Sequence, residues 1–207
     1  MINQKKVILG IFLTIILLGI VFYFDNAIVN AVELLRNPYL DEFFLGITFV
    51  SSEIIIAFLL TSLFLWKEHK RKWILPLWLT LGITAVVSFV LKFLIQRARP
   101  FQSGLVSLLP ALQSASYAIW NFSFPSFQAA LGFCAIPVLS KEFPKLKYFW
   151  IGFAVLIAFS RLYFGLHFLS DVIFGGLIGY LAGFVIVKAE NRTKFFERIY
   201  KKVFKRK

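Results

Sequence analysis

His167 and Asp171 stand one helical turn apart, so on a helix the carboxylate can reach back to the imidazole. An imidazole held by a carboxylate is an activated nucleophile or general base. Lys92 and Arg99 are two turns apart and can point to one side, and Pro100 then stops the helix. Arg161 closes another apolar run. Pro125-Ser126 opens a third, where a hydroxyl accompanies the backbone N–H groups and positive dipole end of a helix. Three fixed cations, a hydroxyl and a helix N-terminus match a phosphate dianion and the extra charge of its transition state. One His and one Asp cannot fill a coordination sphere, so no metal and no other cofactor is expected.

Each of these groups also has a plainer reading. A single Lys or Arg at the end of an apolar helix is most often an anchor reaching for the interface, and Arg36 and Arg97 are assigned to that class. His69, within Lys67-Glu68-His69-Lys70, reads as a solvated loop residue on the opposite side. Cys134, the one cysteine, reads as packing. It is the conjunction of the remaining groups on one face that points to chemistry.

The elements that must position them are legible in the composition. Of 207 residues, 59% are hydrophobic and only 16% charged, where a soluble domain carries about 25%. That excludes a disordered chain, a soluble nucleic-acid binder and an ordinary cytosolic enzyme. Six apolar runs predict an all-α, polytopic integral membrane six-helix bundle: Val7–Phe24, Phe43–Trp66, Trp73–Leu91, Phe127–Ser140, Tyr148–Ser160 and Val172–Val187. The first run is too long for a signal-peptide core and is expected to be retained as a helix. One domain covers 1–187, and residues 188–207 form a basic tail.

The net charge of +13 is placed asymmetrically. With the N-terminus inside, eighteen Lys and Arg fall on cytoplasmic pieces and five on the outer side, so both termini are expected in the cytoplasm. In the tail, Phe195, Phe196, Ile199, Tyr200, Val203 and Phe204 recur at helical spacing between basic residues. Such a helix would lie on the anionic lipids of the inner leaflet. Ala27–Leu40 is expected to lie along the outer surface. A helix starting at Ser51-Ser52 would put Glu53 in its first turn near that surface. One starting at Phe43 would put Glu53 near mid-bilayer, in need of a partner. Gly175, Gly179 and Gly183 form a stripe for close helix packing.

Three stretches together resemble a known family. Lys92-Phe-Leu-Ile-Gln-Arg-Ala-Arg99-Pro100 matches K-x6-R-P, Pro125-Ser126-Phe127-Gln128 stands where P-S-G-H is expected, and Ser160-Arg161 through His167 to Asp171 matches S-R-x5-H-x3-D. These resemble the signatures of the membrane-bound type-2 phosphatidic acid phosphatases, related to vanadium haloperoxidases. The resemblance implies a metal-free lipid phosphatase with an outward-facing site. It implies His167 as nucleophile, forming a phosphohistidine, and Asp171 as the group that orients it. Lys92, Arg99, Ser126, Arg161 and the N–H of Phe127 would hold the phosphoryl oxygens.

At the position of the family's general acid, this chain has Gln128, which donates a hydrogen bond but not a proton. A phosphate monoester expels an alkoxide, whose conjugate acid has a pKa of about 15, and loss of acid help there costs about 10²–10⁴-fold. A lipid diphosphate expels a phosphate monoester, whose second pKa is about 6, and needs no proton donor. The reading is therefore hydrolysis of a polyprenyl (undecaprenyl- or dolichyl-type) diphosphate at the outer leaflet. The alternatives are a phosphatidate- or phosphatidylglycerophosphate-type monophosphatase or phosphotransferase with another acid, such as Glu53, and a lipid-phosphate binder without turnover.

Overall fold

The computed structural model describes residues 4–112 and 122–204, so the expected inside charges Lys205, Arg206 and Lys207 lie outside the described residues. Every regular element among those described is helical. The order is α1 (Gln4–Glu33), α2 (Pro38–Val50), α3 (Glu53–Leu65), a 3-10 turn (Glu68–Trp73) and α4 (Ile74–Ile95), followed by α5 (Phe127–Cys134), α6 (Ile136–Glu142), α7 (Lys147–Tyr163), α8 (Leu169–Thr193) and α9 (Phe195–Phe204).

Local chemistry sets several of these boundaries. Asn37 caps α2, its side chain accepting from the Leu40 N–H at 3.1 Å, and Pro38 occupies a first-turn position whose N–H would have no partner. Ser51 ends α2 and Ser52 begins α3, and the two helices bend by 63°. Pro137 lacks an N–H and breaks the next run into α5 and α6.

The structure corrects one expected segment. Ala27–Glu33 continues α1, and Pro38–Leu40 opens α2, so Ala27–Leu40 is not one surface-lying piece. Apolar residues continue through 28, 29, 31 and 32, so the helix had no reason to stop at Phe24. Of the two starts considered for the second run, the break at Ser51-Ser52 is the one found, and Glu53 is the first residue of α3. The sixth run also extends beyond Val187, to Thr193.

Among the described residues, three helices are long and apolar enough to cross a membrane, or four if the bent α2–α3 pair is one span. Helix α7 has 17 residues, and the α5–α6 run is interrupted. Large apolar side chains such as Phe58, Val86, Leu94 and Leu181 are exposed around the outside, as expected of an integral membrane protein. The interior is packed from Ile56, Leu60 and Phe64 of α3, Leu77 of α4, and residues of α5 to α7.

Helix α5 lies against the glycine stripe of α8. A Cβ on Gly175 would overlap the carbonyl oxygen of Ser126, and one on Gly179 that of Ala130. The stripe thus lets the first turn of α5, which begins at Ser126, approach the first turns of α8, which carry Asp171. Gly179→Ala is expected to destabilise the bundle by about 1–3 kcal/mol through overpacking, read as a lower midpoint of thermal unfolding in detergent. Gly82→Ala, inside α4 where an added Cβ meets nothing within 4 Å, is the control and should not lower the midpoint, since Ala favours a helix interior by about 0.5–1 kcal/mol over Gly.

Candidate functional site

The C-terminal end of α4, the first turns of α3, α5 and α8, and the last turn of α7 meet at one end of the bundle. The hinge between α7 and α8 is compact. The carbonyl of Arg161 accepts from the N–H groups of Leu166 (3.0 Å) and His167 (3.2 Å). That turn requires φ +61° at Gly165, a left-handed conformation natural to glycine. Backbone geometry therefore ties the position of His167 to that of Arg161.

The imidazole of His167 is buried. Its Nδ1 lies 2.6 Å from the carbonyl oxygen of Ser123, which can only accept, so Nδ1 carries the proton and Nε2 keeps its lone pair. Nε2 is 3.3 Å from Arg99 Nη1, which also donates to the Leu166 carbonyl at 2.9 Å. Burial, then the charges of Arg99, Lys92 and Arg161, hold the His167 pKa well below its usual range. The ring is a neutral base facing a guanidinium.

Asp171 stands 3.9 Å from His167 Nδ1, beyond hydrogen-bond reach, so the direct bond expected between them is replaced by a relay. The Asp171 carboxylate accepts from the Ser123 hydroxyl and from the Phe168 N–H at 2.8 Å, while the Ser123 carbonyl holds the ring. The physical reason is that His167 lies in the loop before α8, not on the helix, so the i, i+4 rule for helical neighbours does not apply.

The cations and the hydroxyl come to the same end. Lys92 Nζ donates to the Phe122 carbonyl at 2.5 Å. Arg161 is buried, and its Nη2 donates to Ser51 Oγ at 2.9 Å, which is where the α2–α3 break presents that hydroxyl. Arg161 Nε and Ser126 Oγ are both buried with no hydrogen-bond partner among the described residues. Buried polar atoms in native proteins nearly always have partners, so two such donors beside a cationic cluster mark a place for an acceptor-rich group. A cavity of about 700 Å³ opens here, lined by Lys92, Arg99, Phe127, Gln128 and Glu53 together with Ser88 and other α4 residues. Gln128 Nε2 donates to Glu53 Oε1 at 3.0 Å, which brings to the cavity the carboxylate whose whereabouts the sequence left open.

One sequence assignment is overturned. Arg97 is not an interfacial anchor. Its guanidinium is bound to Asp25 at 2.8 Å and to Asp171 at 2.7 Å, and stacks over the Phe168 ring at 3.9 Å. Arg36, assigned to the same class, donates to the Ser107 carbonyl at 2.6 Å and lies 3.6 Å from Asp41. Sequence reasoning also passed over Ser123 and Asp25. Asp25 carried a usable signal, a carboxylate at the end of a long apolar run; Ser123 carried none.

Such an end can bind a phosphoryl group through fixed cations and present it to an imidazole lone pair. Comparison with known proteins is consistent with that chemistry. Residues 73–195 match the family model of the PAP2 superfamily. The chain is 31% identical over 187 residues to phosphatidylglycerophosphatase B of Bacillus subtilis (strain 168), covering 84% of this chain and 87% of that protein. It is 33% identical over 122 residues to an undecaprenyl-diphosphatase of Sulfolobus acidocaldarius, covering 54% and 56%. Its structure is similar to the crystal structure of a transmembrane PAP2-type phosphatidylglycerolphosphate phosphatase from Bacillus subtilis, with TM-score 0.69, 27% identity and coverage of 91% and 98%. It is also similar to that of Aquifex aeolicus LpxE, with TM-score 0.64, 29% identity and coverage of 79% and 94%.

The depressed His167 pKa has a signed consequence. Below the ordinary value near 6.5 the unfolded chain takes up a proton that the folded chain does not, so this group favours unfolding as the pH falls through 6.5. In nitrogen-15 NMR of the detergent-solubilised protein, the His167 ring should stay neutral, with Nδ1 protonated, as the pH is taken from 8 through 6. The chain has two histidines, so a His69→Gln variant assigns the signal. Protonation of His167 centred near 6.5 would contradict the arrangement described.

Proposed function

We propose, for a chain that belongs to the PAP2 superfamily, that it is a metal-independent lipid phosphate phosphohydrolase acting through a phosphohistidine. His167 Nε2 attacks phosphorus while the bond from phosphorus to the leaving oxygen breaks. Lys92, Arg99, Arg161, the Ser126 hydroxyl and the Phe127 N–H hold the three phosphoryl oxygens. The proton stays on Nδ1 and is donated to the Ser123 carbonyl, which disperses the positive charge that forms on the ring. Water then attacks the phosphohistidine, its proton leaves with the phosphate, and the neutral imidazole returns. The observation that carries this reading is the pair of unpartnered buried donors, Ser126 Oγ and Arg161 Nε, beside a neutral imidazole. A phosphoryl group supplies the acceptors both lack.

The substrate we infer is a polyprenyl diphosphate of the undecaprenyl or dolichyl type. Gln128 lines the cavity with Lys92 and Arg99 and can steady a leaving oxygen but not protonate it. A departing phosphate monoester needs no more than that. The contact between Gln128 and Glu53 favours a second reading, a monoester phosphatase in which the Glu53 carboxyl supplies the proton. In either case α1, α2–α3, α4, α5–α6, α7 and α8 serve as six spans, with both termini cytoplasmic, the site at the outer leaflet and α9 on anionic inner-leaflet lipids.

Purified protein assayed on a lipid diphosphate and its monophosphate separates these readings. The diphosphate should be turned over far better, and Gln128→His, best combined with Phe127→Gly, should raise the monophosphate rate alone. The span of that gain is about 10²–10⁴-fold, or about 2.7–5.5 kcal/mol. If the monophosphate is instead preferred and Glu53→Gln lowers its rate by a comparable factor, the second reading holds. His167→Ala should abolish turnover of both, and EDTA should affect neither. Activity that survives His167→Ala or is lost to EDTA would point to other chemistry, and no turnover of either lipid would leave a binder.

A further inference from the structure

Asp25 is buried and Arg97 half-buried, and the proposed chemistry uses neither. Asp25 lies in α1, far along the chain from everything else at this end, and its side chain is 2% exposed. Its Oδ2 accepts from Arg97 Nη2 at 2.8 Å and from the Ser170 hydroxyl, and its Oδ1 accepts from the Ser170 N–H at 3.0 Å. Arg97 Nη1 donates at 2.7 Å to both Ser170 Oγ and Asp171 Oδ1. The Arg97 carbonyl accepts from the Ser123 N–H at 2.7 Å. From Asp171 the chain of bonds runs through the Ser123 hydroxyl, and from the Ser123 carbonyl to the imidazole of His167.

Merely fastening α1 to α8 does not call for buried charge, since packed apolar side chains do so at lower desolvation cost. Two features go beyond fastening. Arg97 holds Ser123 from two directions, through its own carbonyl and through the Asp171 carboxylate that binds the Ser123 hydroxyl. Ser123 is the residue whose carbonyl fixes the ring tautomer. Asp25, in turn, fixes the guanidinium in a two-carboxylate fork, with the Phe168 ring against its face.

We propose that Asp25 and Arg97 are positioning residues for His167, acting through Asp171 and Ser123 and touching no substrate; this rests on the reading of His167 as nucleophile. Arg97 keeps Asp171 aimed at Ser123, and Asp25 keeps Arg97 from turning towards the phosphoryl site. Loss of either lets the Ser123 carbonyl drift from Nδ1, and the ring then presents Nε2 to phosphorus in the wrong tautomer or at the wrong angle.

The test compares Asp25→Asn, Arg97→Gln and Arg97→Lys with the unaltered protein and His167→Ala, on whichever lipid phosphate the unaltered protein hydrolyses. Arg97→Gln and Asp25→Asn should lower kcat by about 10- to 100-fold with KM within about threefold, because the phosphate-holding cations are untouched. Arg97→Lys, which keeps the charge but not the fork, should recover part of the loss. In nitrogen-15 spectra the Nδ1-protonated signal of His167 should weaken in Arg97→Gln and persist in Arg97→Lys. A purely structural tie would lower the thermal midpoint and leave folded protein with normal kcat and an unchanged ring tautomer, and that outcome overturns the proposal. Should Arg97→Gln fail to fold, Asp25→Asn with the same two readouts decides. Activity persisting in His167→Ala would defeat the nucleophile reading instead, whatever the Arg97 variants do.

Discussion

Gathering Lys92, Arg99 and Arg161 around one imidazole at the end of a membrane bundle is electrostatically unfavourable, and much of the structure is arranged around that cost. Like charges repel more strongly where water is scarce. Burial lowers the Arg99 pKa to about 10, which still leaves it cationic at neutral pH. The repulsion is borne by making the imidazole neutral and by setting each cation on a carbonyl or hydroxyl: Phe122 for Lys92, Leu166 for Arg99, Ser51 for Arg161. These acceptors come from loops and helix ends, which explains why so many helices begin or break at this level. The bend between α2 and α3 has the same origin: it places Ser51 beside Arg161 and, two residues on, Glu53 beside Gln128.

The helix ends can converge only because the helix bodies pack closely. Helix α8 presents glycine to α5, so the two backbones approach and Ser126 is drawn to Asp171, whose carbonyl accepts the Ser126 N–H at 3.0 Å. The stripe sets the height of the α5 N-terminus relative to the α8 N-terminus. A stripe of small residues in the sequence therefore carried information about the site as well as about packing.

The residues legible in the sequence were those whose charge or spacing was costly to explain otherwise. Lys92, Arg99, Arg161 and His167 stood out because charge at the end of an apolar helix needs a reason, and the structure puts them at one end of the bundle. The all-helical architecture followed from apolar runs. Ser123 and the Arg97–Asp25 pair were not legible in this way. Ser123 holds the ring through its carbonyl, which every residue type possesses, and its hydroxyl is one of many in the sequence, so nothing announces its link to Asp171. Arg97 sits two residues from Arg99, and spacing alone could not tell a snorkelling anchor from a buried ion pair whose partner is 72 residues away. The extent of α1 and the α5–α6 break were similarly hidden, because apolar runs show where helices can form but not where the backbone must yield to let a site assemble.

The two ends of the bundle treat charge differently, and the difference bears on function. At the far end, Glu197 is bonded to Lys72 at 3.2 Å and to Lys201 at 2.8 Å, which pulls its pKa down to about 2, while Glu190 accepts the Phe196 and Glu197 N–H groups at 3.0 and 2.9 Å. Those carboxylates close out their donors, and α9 docks as a result. At the site end, Asp25 and Asp171 are both engaged by Arg97. Glu53 is turned to Gln128. The Asp25 and Asp171 carboxylates thus go to Arg97, while Arg161 Nε and Ser126 Oγ are buried without a partner among the described residues and Lys92 and Arg99 line the cavity, an arrangement suited to an added anion.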